Sequence, residues 1–551
     1  MTLPLAPFGT RTGRRGMVAA ADQLAASAGV EMLSRGGSAA DAAVAAGTVM
    51  AVVGPHMCGL GGDVLAMVAA PGSAPVALLS VGRAGAGSDA AALRAAGRTT
   101  MPLRGDLNSV PVPGAVDGWL ALHARFGRLP LGTVVGPAVE LAEDGFCASV
   151  MLALASHLVH ELAGAGELCP HGPLEIGQQV RLPGLARTLR AIAAGGRDAF
   201  YCGEFGRGLR ALANGHYAER DLSRVLAEWC EPVHASAWGH ELWTVPPPSQ
   251  GYLTVAAARI AEATGLGDDP DDPLWAHLVI ESARAAGHDR PAVLFDGTDG
   301  PALLAPDRLD AAVARIDRAR AAAPDVRPGT APGPPDGVGG AVARVGEGDT
   351  THLCALDAEG LGISLTQSNA LDFGSHLIEP STGIFLQNRG VGFSLVEGHP
   401  AELAPGRRPP HTLSPMLATT PHGALTHLVG AMGGDAQPQV ILQLLARMLR
   451  AGQDPAQAIA APRLALDAPS AGPFRLWWGE DLTVLVESDA PAGWADGLAA
   501  RGHKVRAIRA FDPVAVGCAQ IITVVRDAAG AADHQAGASD PRSPEGGAVG
   551  R

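Results

Sequence analysis

The chain has 551 residues, of which 47% are hydrophobic, and a formal net charge of −14 at pH 7. This length exceeds the usual size of a single core and predicts two lobes or one large composite domain. The acidic net charge argues against nucleic acid as a partner. Seven cysteines without a CxxC pair argue against a disulfide framework and a zinc site, and the single lysine, Lys504, leaves little room for Schiff-base or Walker-type chemistry.

The sequence has no candidate membrane span. No apolar run reaches the roughly 18 residues that a membrane helix needs. The N-terminal stretch MTLPLAPFGTRTGRRG places its arginines after its apolar residues, which is the wrong order for a secretory signal. These features predict a cytoplasmic protein that acts on a small molecule and does not bind a membrane.

The first predicted elements are two helices. Residues 18–35 (VAAADQLAASAGVEMLSR) have helical apolar spacing and end at a glycine pair. Ser38 is then expected to cap a second helix, with Asp41 as a carboxylate in its first turn. This helix is nearly all small and apolar, so we expect it to be buried. It ends at Gly54 and leads into a glycine-rich turn and a strand, HMCGLGGDVLAMVAA (56–70).

The next segments predict further helices and then a linker. The helical segments are VPVPGAVDGWLALHARFG (110–127), PAVELAEDGF (137–146), FYCGEFGRGL (200–209) and VPPPSQGYLTVAAARI (245–260). Residues 321–348 (AAAPDVRPGTAPGPPDGVGGAVARVGEG) are rich in proline and glycine and lack periodicity. Such a stretch cannot pack a core, so we expect a flexible linker.

Residues 349–374 (DTTHLCALDAEGLGISLTQSNALDFG) predict a β-hairpin with Ala358-Glu359-Gly360 as a three-residue loop, in which Gly360 is left-handed. In this register the polar face pairs Thr350 with Ser368, His352 with Thr366 and Cys354 with Ser364. The other face pairs Leu353 with Leu365 and Ala355 with Ile363. A slip of one residue would mix the two faces, so their clean separation favours this register.

The hydroxyl pair at the end of this hairpin admits two interpretations. Threonine and serine suit strands, so a half-exposed structural hairpin is one of them. The other is a nucleophile, because a flexible segment that runs into a Thr-Thr strand is what self-cleavage between Asp349 and Thr350 requires. Cleavage would free the α-amine of Thr350, and a threonine with its own amine as base is a recognised nucleophile.

Beyond the hairpin, three segments and a tail follow: STGIFLQNRGVGFSL (381–395), APGRRPPHTLSPML (404–417), THLVGAMGGDAQPQVILQLL (426–445) and GASDPRSPEGGAVGR (537–551). The third of these predicts a strand, a glycine turn and a helix. Gly433 and Gly434 are therefore expected to present backbone N–H groups at a helix N-terminus.

Taken in order, these segments resemble the γ-glutamyltransferase family of autoprocessing N-terminal-nucleophile (Ntn) hydrolases, in which one precursor yields a large and a small subunit. The resemblance covers nearly the whole chain. It implies an α+β fold, a four-layer αββα sandwich with two antiparallel sheets between helices. It also implies a large subunit of residues 1–349, with a linker at about 321–349, and a small subunit of residues 350–551. These would form a heterodimer or a dimer of heterodimers, without a metal or cofactor.

By this resemblance, Thr350 is the nucleophile that forms an acyl-enzyme, which water or an amine resolves. Ser368 stands where the family has a supporting threonine, unless it makes only a strand-pair hydrogen bond. Gly433 and Gly434 match the glycines of the oxyanion hole, with an ordinary turn as the alternative. Arg83, in SVGRAGAG, aligns with an arginine that holds a substrate carboxylate, or is a solvated surface residue.

The chain departs from the family pattern at the substrate. Family enzymes that act on γ-glutamyl groups place an asparagine, a glutamine and an aspartate around the α-amine, and here these positions are Ala370, Arg389 and Gly392. His411 and Thr412 replace the paired serines that bind the α-carboxylate. A cation at this place would repel an ammonium group.

The segments QNRGVGFSL and GRRPPHTLSP resemble instead the cephalosporin-acylase-like and oxamate-amidohydrolase-like branch of the family. We therefore expect a short acid acyl group without an amine, cleaved at an amide or at a C–C bond that releases an oxalate-like acid. Arg83, Arg389, His411 and Thr412 are the candidate substrate-binding residues. Two alternatives remain at this point, a true γ-glutamyl transferase or glutathione hydrolase, and an inactive binding scaffold.

Overall fold

The computed structural model describes residues 9–323, 350–468 and 482–551. The strands in these ranges are β1 (Arg11–Gly13), β2 (Gly16–Ala20), β3 (Asp63–Ala69), β4 (Val76–Ser80), β5 (Phe146–Cys147), β6 (Gln179–Val180), β7 (Ala227–Cys230), β8 (Val233–Ala237), β9 (His240–Thr244), β10 (Thr351–Asp357), β11 (Gly362–Ser368), β12 (Ile378–Glu379), β13 (Ile384–Phe385), β14 (Met416–Thr419), β15 (Leu425–Ala431), β16 (Leu464–Asp467), β17 (Thr483–Glu487), β18 (Val505–Ile508), β19 (Ala519–Arg526), β20 (Ala532–Ser539) and β21 (Gly547–Gly550).

The α-helices in the same ranges are α1 (Gln23–Ser34), α2 (Ala39–Val53), α3 (Ala90–Ala95), α4 (Ala115–Phe126), α5 (Leu131–Asp144), α6 (Val150–Ser156), α7 (Pro183–Asp198), α8 (Glu204–Leu212), α9 (Glu219–Ser223), α10 (Tyr252–Ala263), α11 (Pro273–Gly287), α12 (Arg290–Val293), α13 (Pro306–Val313), α14 (Gln437–Leu445), α15 (Pro455–Ala460), α16 (Ala492–Ala500) and α17 (Pro513–Val516). None of the helices in this described part is long and apolar enough to cross a membrane.

Two seven-stranded antiparallel sheets form the centre of the fold. Their strand orders are β1-β20-β19-β15-β14-β9-β8 and β21-β2-β10-β11-β3-β4-β7. One apolar layer lies between the second sheet and helices that include α1, α2, α4, α5 and α7. Another lies between the first sheet and α10, α11, α13, α14 and α16. A third lies between the two sheets. The protein is therefore a four-layer αββα sandwich, as the sequence predicts.

Both sheets combine strands from before and after residues 324–349. The β10–β11 hairpin lies between β2 and β3, which precede it in the chain by some three hundred residues. In the other sheet, β9 pairs with β14 and β8 pairs with β9, and β1 pairs with β20. The predicted linker and Asp349 lie outside the described residues, apart from Ala321–Ala323.

The predicted hairpin register is confirmed. His352 pairs with Thr366, Leu353 with Leu365, Cys354 with Ser364 and Ala355 with Ile363. Gly360 has φ +90° in the connecting loop, as a left-handed loop residue requires. The half-exposed alternative is wrong, because every residue of β10 and β11 is buried. The apolar face packs on the helices, and the polar face is covered by the other sheet, which contains β15 and β19.

The first helix begins later than the sequence predicts. Residues 18–20 belong to β2, which is buried between β10 and β21, and α1 starts after Asp22, whose carboxylate accepts a hydrogen bond from the Leu24 N–H. Alanine and valine fit a fully buried strand as well as a helix, so the apolar pattern did not mark the boundary. The second helix, α2, is confirmed as a fully buried helix with Ser38 and Asp41 as a capping box.

Several histidines buried in the sandwich have depressed pKa values. Burial lowers the pKa of His352 to about 3 and the pKa of His56 to about 4, from an ordinary value near 6.5. As the pH falls, such a histidine takes up a proton at a higher pH in the unfolded chain than in the folded protein. The contribution of each such histidine to the free energy of unfolding is therefore fully present above pH 6.5. It decreases as the pH falls from 6.5 towards the pKa in the folded protein, by at most about 1.4 kcal/mol per pH unit and residue.

We expect the midpoint of thermal unfolding to fall steeply between pH 6.5 and pH 4.5. His56→Leu should flatten part of this slope, because neither ring nitrogen of His56 has a hydrogen-bond partner among the described residues and no bond is lost. His422→Gln, at an exposed turn, is the control and should leave the slope unchanged. Equal slopes for the parent and His56→Leu would contradict this origin of the acid sensitivity.

Candidate active site

The site is built where β10, β11 and β3 lie side by side. The Thr350 hydroxyl, just before β10, donates a 3.0 Å hydrogen bond to Ser368 Oγ at the end of β11. Asp63, at the start of β3, is the strand partner of Ser368. All three residues are buried, with at most 1% of their surface exposed. The predicted hydroxyl pair is therefore present, and a carboxylate stands beside it.

Arg389 joins Ser368 to the next part of the site. Its Nη1 donates to Thr412 Oγ1 at 2.9 Å, and its Nη2 lies 3.4 Å from Ser368 Oγ. Burial lowers the pKa of Arg389 to about 10, while the charges of Asp63 and Asp435 act in the opposite direction. The guanidinium is thus protonated at neutral pH, in a site that is almost fully closed to solvent.

His411 lies against Asp63 as a neutral donor. Its Nδ1 accepts a hydrogen bond from the Leu413 N–H at 3.3 Å, so its Nε2 carries the proton and faces Asp63 Oδ2 at 3.2 Å. Burial, aided by the charge of Arg389, lowers the pKa of His411 to about 4. His411 therefore adds no positive charge to the site at neutral pH.

Asp63 is fixed by its other contacts. Its Oδ1 accepts hydrogen bonds from the N–H groups of Gly82 and Gly114 at 2.9 and 3.1 Å, and from Gln387 Nε2 at 3.0 Å. These donors and His411 surround a carboxylate that would otherwise be costly to bury. The GLGGD turn thus places a fully held anion beside the hydroxyl pair.

Gly433 and Gly434 form the turn between β15 and the helical segment that leads into α14. Their φ angles are +124° and +54°, which glycine adopts without strain. Their N–H groups have no hydrogen-bond partner within the described ranges. Gln250 Nε2 donates to the carbonyl oxygens of both Gly434 and Thr412 at 3.0 Å and so connects this turn to the Arg389 contacts.

Arg83 reaches the site only through its neighbouring backbone. Gly82, the preceding residue, binds Asp63, whereas the Arg83 guanidinium donates to the Gly406 carbonyl at 2.9 Å and lies 3.4 Å from Asp296. Burial and the nearby Arg408 lower the pKa of Arg83. The side chain is partly buried and ion-paired, unlike a freely solvated surface arginine.

The backbone limits what the other two substituted positions can hold. A Cβ at Gly392 would lie 2.7 Å from the Pro410 carbonyl oxygen, so an aspartate there has no room. Ala370 has φ +84°, and its N–H donates to Ser368 Oγ at 2.8 Å. An alanine held in this left-handed region is strained by about 1–3 kcal/mol, which the contact with Ser368 helps to offset.

Sequence reasoning missed four residues that hold this site together, namely Asp63, Gln250, Arg290 and Asp435. Asp63 and Asp435 each follow a glycine pair, and this was the available signal, because an acid after a glycine turn ends up beside the backbone N–H groups that the turn exposes. Gln250 and Arg290 carry no such local signal. Their partners are more than a hundred residues away in the chain.

This arrangement fits acyl transfer. A buried hydroxyl lies beside a second hydroxyl and a fixed cation, and Thr412 and Gln250 connect this cation to a glycine turn whose N–H groups have no partner among the described residues. These are the parts needed to form a tetrahedral intermediate and stabilise its oxyanion. Among the described residues no cluster of three or more side chains could ligate a metal ion.

Comparisons with known proteins agree with the fold. The family model described as Gamma-glutamyltranspeptidase matches residues 25–550. The oxamate amidohydrolase proenzyme of Klebsiella pneumoniae is 35% identical over 96% of this chain and 97% of its own length. The glutathione hydrolase-like YwrD proenzyme of Bacillus subtilis is 32% identical over 98% of this chain and 99% of its own.

The crystal structure of cephalosporin acylase from Bacillus halodurans has the same fold. It superposes with a TM-score of 0.86 at 29% identity and covers 100% of this chain and 99% of its own. Full-length matches in both sequence and structure accompany the hydroxyl pair and the glycine turn described above. The chain therefore belongs to the gamma-glutamyltranspeptidase family and is a hydrolytic enzyme of the N-terminal-nucleophile type.

Proposed function

We propose that this protein cleaves itself between Asp349 and Thr350 and then hydrolyses the amide of a short acid that lacks an α-amine. The observation that carries the substrate part is Arg389, a buried guanidinium 3.4 Å from Ser368 Oγ, in a position where family enzymes hold an amine. The proenzyme names of the relatives support self-cleavage. The products would be a large subunit, 1–349, and a small subunit, 350–551, held together as a heterodimer.

In the proposed reaction, Thr350 Oγ1 attacks the carbonyl carbon of the substrate, and the freed α-amine of Thr350 takes the hydroxyl proton. The N–H groups of Gly433 and Gly434 bind the resulting oxyanion. Collapse of the intermediate breaks the amide bond, and the leaving amine takes the proton from the α-amine. Water then adds to the acyl-enzyme and releases the acid and Thr350. Ser368 orients the Thr350 hydroxyl through their 3.0 Å hydrogen bond.

Arg389 supplies the proposed selectivity for the acyl group. Its Nε is buried and has no partner within the described residues, so it is available to a substrate carboxylate or keto oxygen. An ammonium group at the same place would meet a like charge, which costs on the order of several kcal/mol in a partly buried site. The resemblance to an oxamate amidohydrolase favours an amide over a C–C bond.

A pair of substrates that differ only in the α-amine tests this proposal. We expect glutaryl-p-nitroanilide to be turned over at least about tenfold better, in kcat/KM, than γ-glutamyl-p-nitroanilide. Release of ammonia from oxamate, measured in parallel, shows whether an amine-free substrate with a shorter acyl group is also hydrolysed. A clear preference for the γ-glutamyl compound would contradict the proposal and favour a glutathione hydrolase, the activity named for the YwrD relative.

A further inference from the structure

We propose that Arg290 and Asp435 are positioning residues for catalysis, and that their ion pair holds the Gly433–Gly434 turn in the shape that binds the oxyanion. The inference rests on the proposed role of this turn in acyl transfer. It concerns residues that touch neither the nucleophile nor the acyl group. Arg290 lies in the proposed large subunit and Asp435 in the small one, so the pair would also couple the two.

The ion pair is short and buried. Arg290 Nη2 lies 2.5 Å from Asp435 Oδ1, and the two side chains are 8% and 3% exposed. Asp435 directly follows Gly434 and belongs to the 3-10 turn Gly434–Ala436. Breaking a buried pair by removing one partner leaves an uncompensated charge, so each of the two charges depends on the other for its compensation.

The glycine turn needs such support. Glycine is the residue with the greatest conformational freedom, and both glycines have positive φ. An oxyanion donor must be held within about 0.5 Å of its productive place. Gln250 fixes the turn through the Gly434 carbonyl at 3.0 Å, and Arg290 fixes it through the next side chain, Asp435. Both anchors come from the part of the chain before residue 324.

The pair also belongs to a balanced set of buried charges. Burial lowers the pKa of Arg389, the charges of Asp63 and Asp435 act against this effect, and the charge of Arg290 adds to it. Two cations and two anions thus share one closed region. Removal of the charge of Asp435 would disturb the cation next to Ser368 as well as the glycine turn, so both effects should reduce turnover.

The neighbouring ion pair of Asp289 and Arg308, which is more exposed to solvent, is the control. Arg308 binds the Asp289 carboxylate through two hydrogen bonds of 2.7 and 2.8 Å. Asp289 directly precedes Arg290, but its partner lies on α13, away from the glycine turn. If an ion pair in this region were merely structural, Asp289→Asn and Asp435→Asn should have the same consequences.

The test measures acylation with p-nitrophenyl acetate, an activated ester without an acid group, which makes the readout independent of substrate selectivity. The variants are Asp435→Asn, Arg290→Gln, the double variant and the control Asp289→Asn. Release of p-nitrophenol gives the rate, and mass spectrometry of the small fragment locates the acetyl group. Rates are normalised to the cleaved fraction seen on a gel.

We expect Asp435→Asn and Arg290→Gln to lower kcat by about 10- to 100-fold with KM changed less than about threefold. The double variant should recover thermal stability, because no unpaired charge remains, but should stay slow. Arg290→Lys keeps the charge but lacks the planar guanidinium, and it should lose less kcat than Arg290→Gln. It replaces the neutral variant in the test if that variant does not fold.

Three outcomes overturn the inference. One is a folded Asp435→Asn enzyme with the kcat of the parent. The second is an equal loss of kcat in the Asp289→Asn control. The third is recovery of kcat together with stability in the double variant. A parent enzyme that takes up no acetyl group on Thr350 is a distinct result, because it removes the proposed nucleophile and with it the basis of the inference.

Discussion

Replacement of Thr350 by alanine is expected to leave a single uncleaved chain without hydrolytic activity. The change removes the hydroxyl that we propose both attacks the peptide bond before it and serves as the nucleophile of the mature enzyme, and loss of a nucleophile lowers kcat by up to about a millionfold. The parent should give two bands on a denaturing gel. N-terminal sequencing of its smaller fragment should read Thr-Thr-His-Leu, and any other start would refute the assignment.

The adjacent Thr351 provides the control for this experiment. It is also buried, but it pairs with Gln367 and lies on the other face of the strand from Thr350. Thr351→Val should therefore be processed as the parent is. Ser368→Ala should fold, because the buried donors that lose their acceptor cost about 1–3 kcal/mol, yet be roughly tenfold slower in processing or turnover. Processing in the Thr350→Ala chain would show that another residue is the nucleophile.

Arg389→Met is expected to lower kcat/KM for glutaryl-p-nitroanilide by about 100-fold or more, since loss of a buried charged partner typically costs about 3–5 kcal/mol. Activity on the γ-glutamyl compound should fall much less. Asp63 and Asp435 remain and, without the guanidinium between them, leave an excess of negative charge that suits an ammonium group. The preference for the amine-free substrate should therefore shrink or reverse.

Arg447→Met separates this effect from general destabilisation. Arg447 is another buried arginine whose pKa burial lowers to about 10, but its guanidinium lies over the Trp275 ring, 5.1 Å from the centroid. Its loss should reduce thermal stability without a change in the ratio of the two kcat/KM values. If the ratio of the two kcat/KM values is unchanged in Arg389→Met, Arg389 does not determine the selectivity for the acyl group.

The parts of the fold that depend on local pattern could be predicted from the sequence. The hairpin register followed from the alternation of Leu353 and Leu365 with His352 and Thr366, because a one-residue slip would exchange the faces. The capping of α2 followed from Ser38. The burial of the polar hairpin face could not be predicted, because it depends on a second sheet whose strands lie elsewhere in the chain.

The same distinction holds for the site. Thr350, Ser368 and the two glycines lie in segments whose order and composition pointed to the roles proposed for them. Arg290 has no local feature that sets it apart from other arginines, and its partner Asp435 is 145 positions further along the chain. The contact of Arg83 with Asp296 likewise depends on how loops meet in space. Such pairings are properties of the assembled sandwich.

Because strands from before and after residue 349 are interleaved, the proposed self-cleavage would make unfolding hard to reverse. The hairpin that follows residue 349 forms the middle of a sheet whose neighbouring strands, β2 and β3, precede the cut. In the intact precursor these strands are joined covalently, so the sheet assembles in a reaction of first order. Once the chain is cut and unfolded, the two fragments must meet by diffusion, and recovery of the native sandwich depends on protein concentration. The mature enzyme would then be kinetically stable, because it stays folded through slow unfolding and not through efficient refolding.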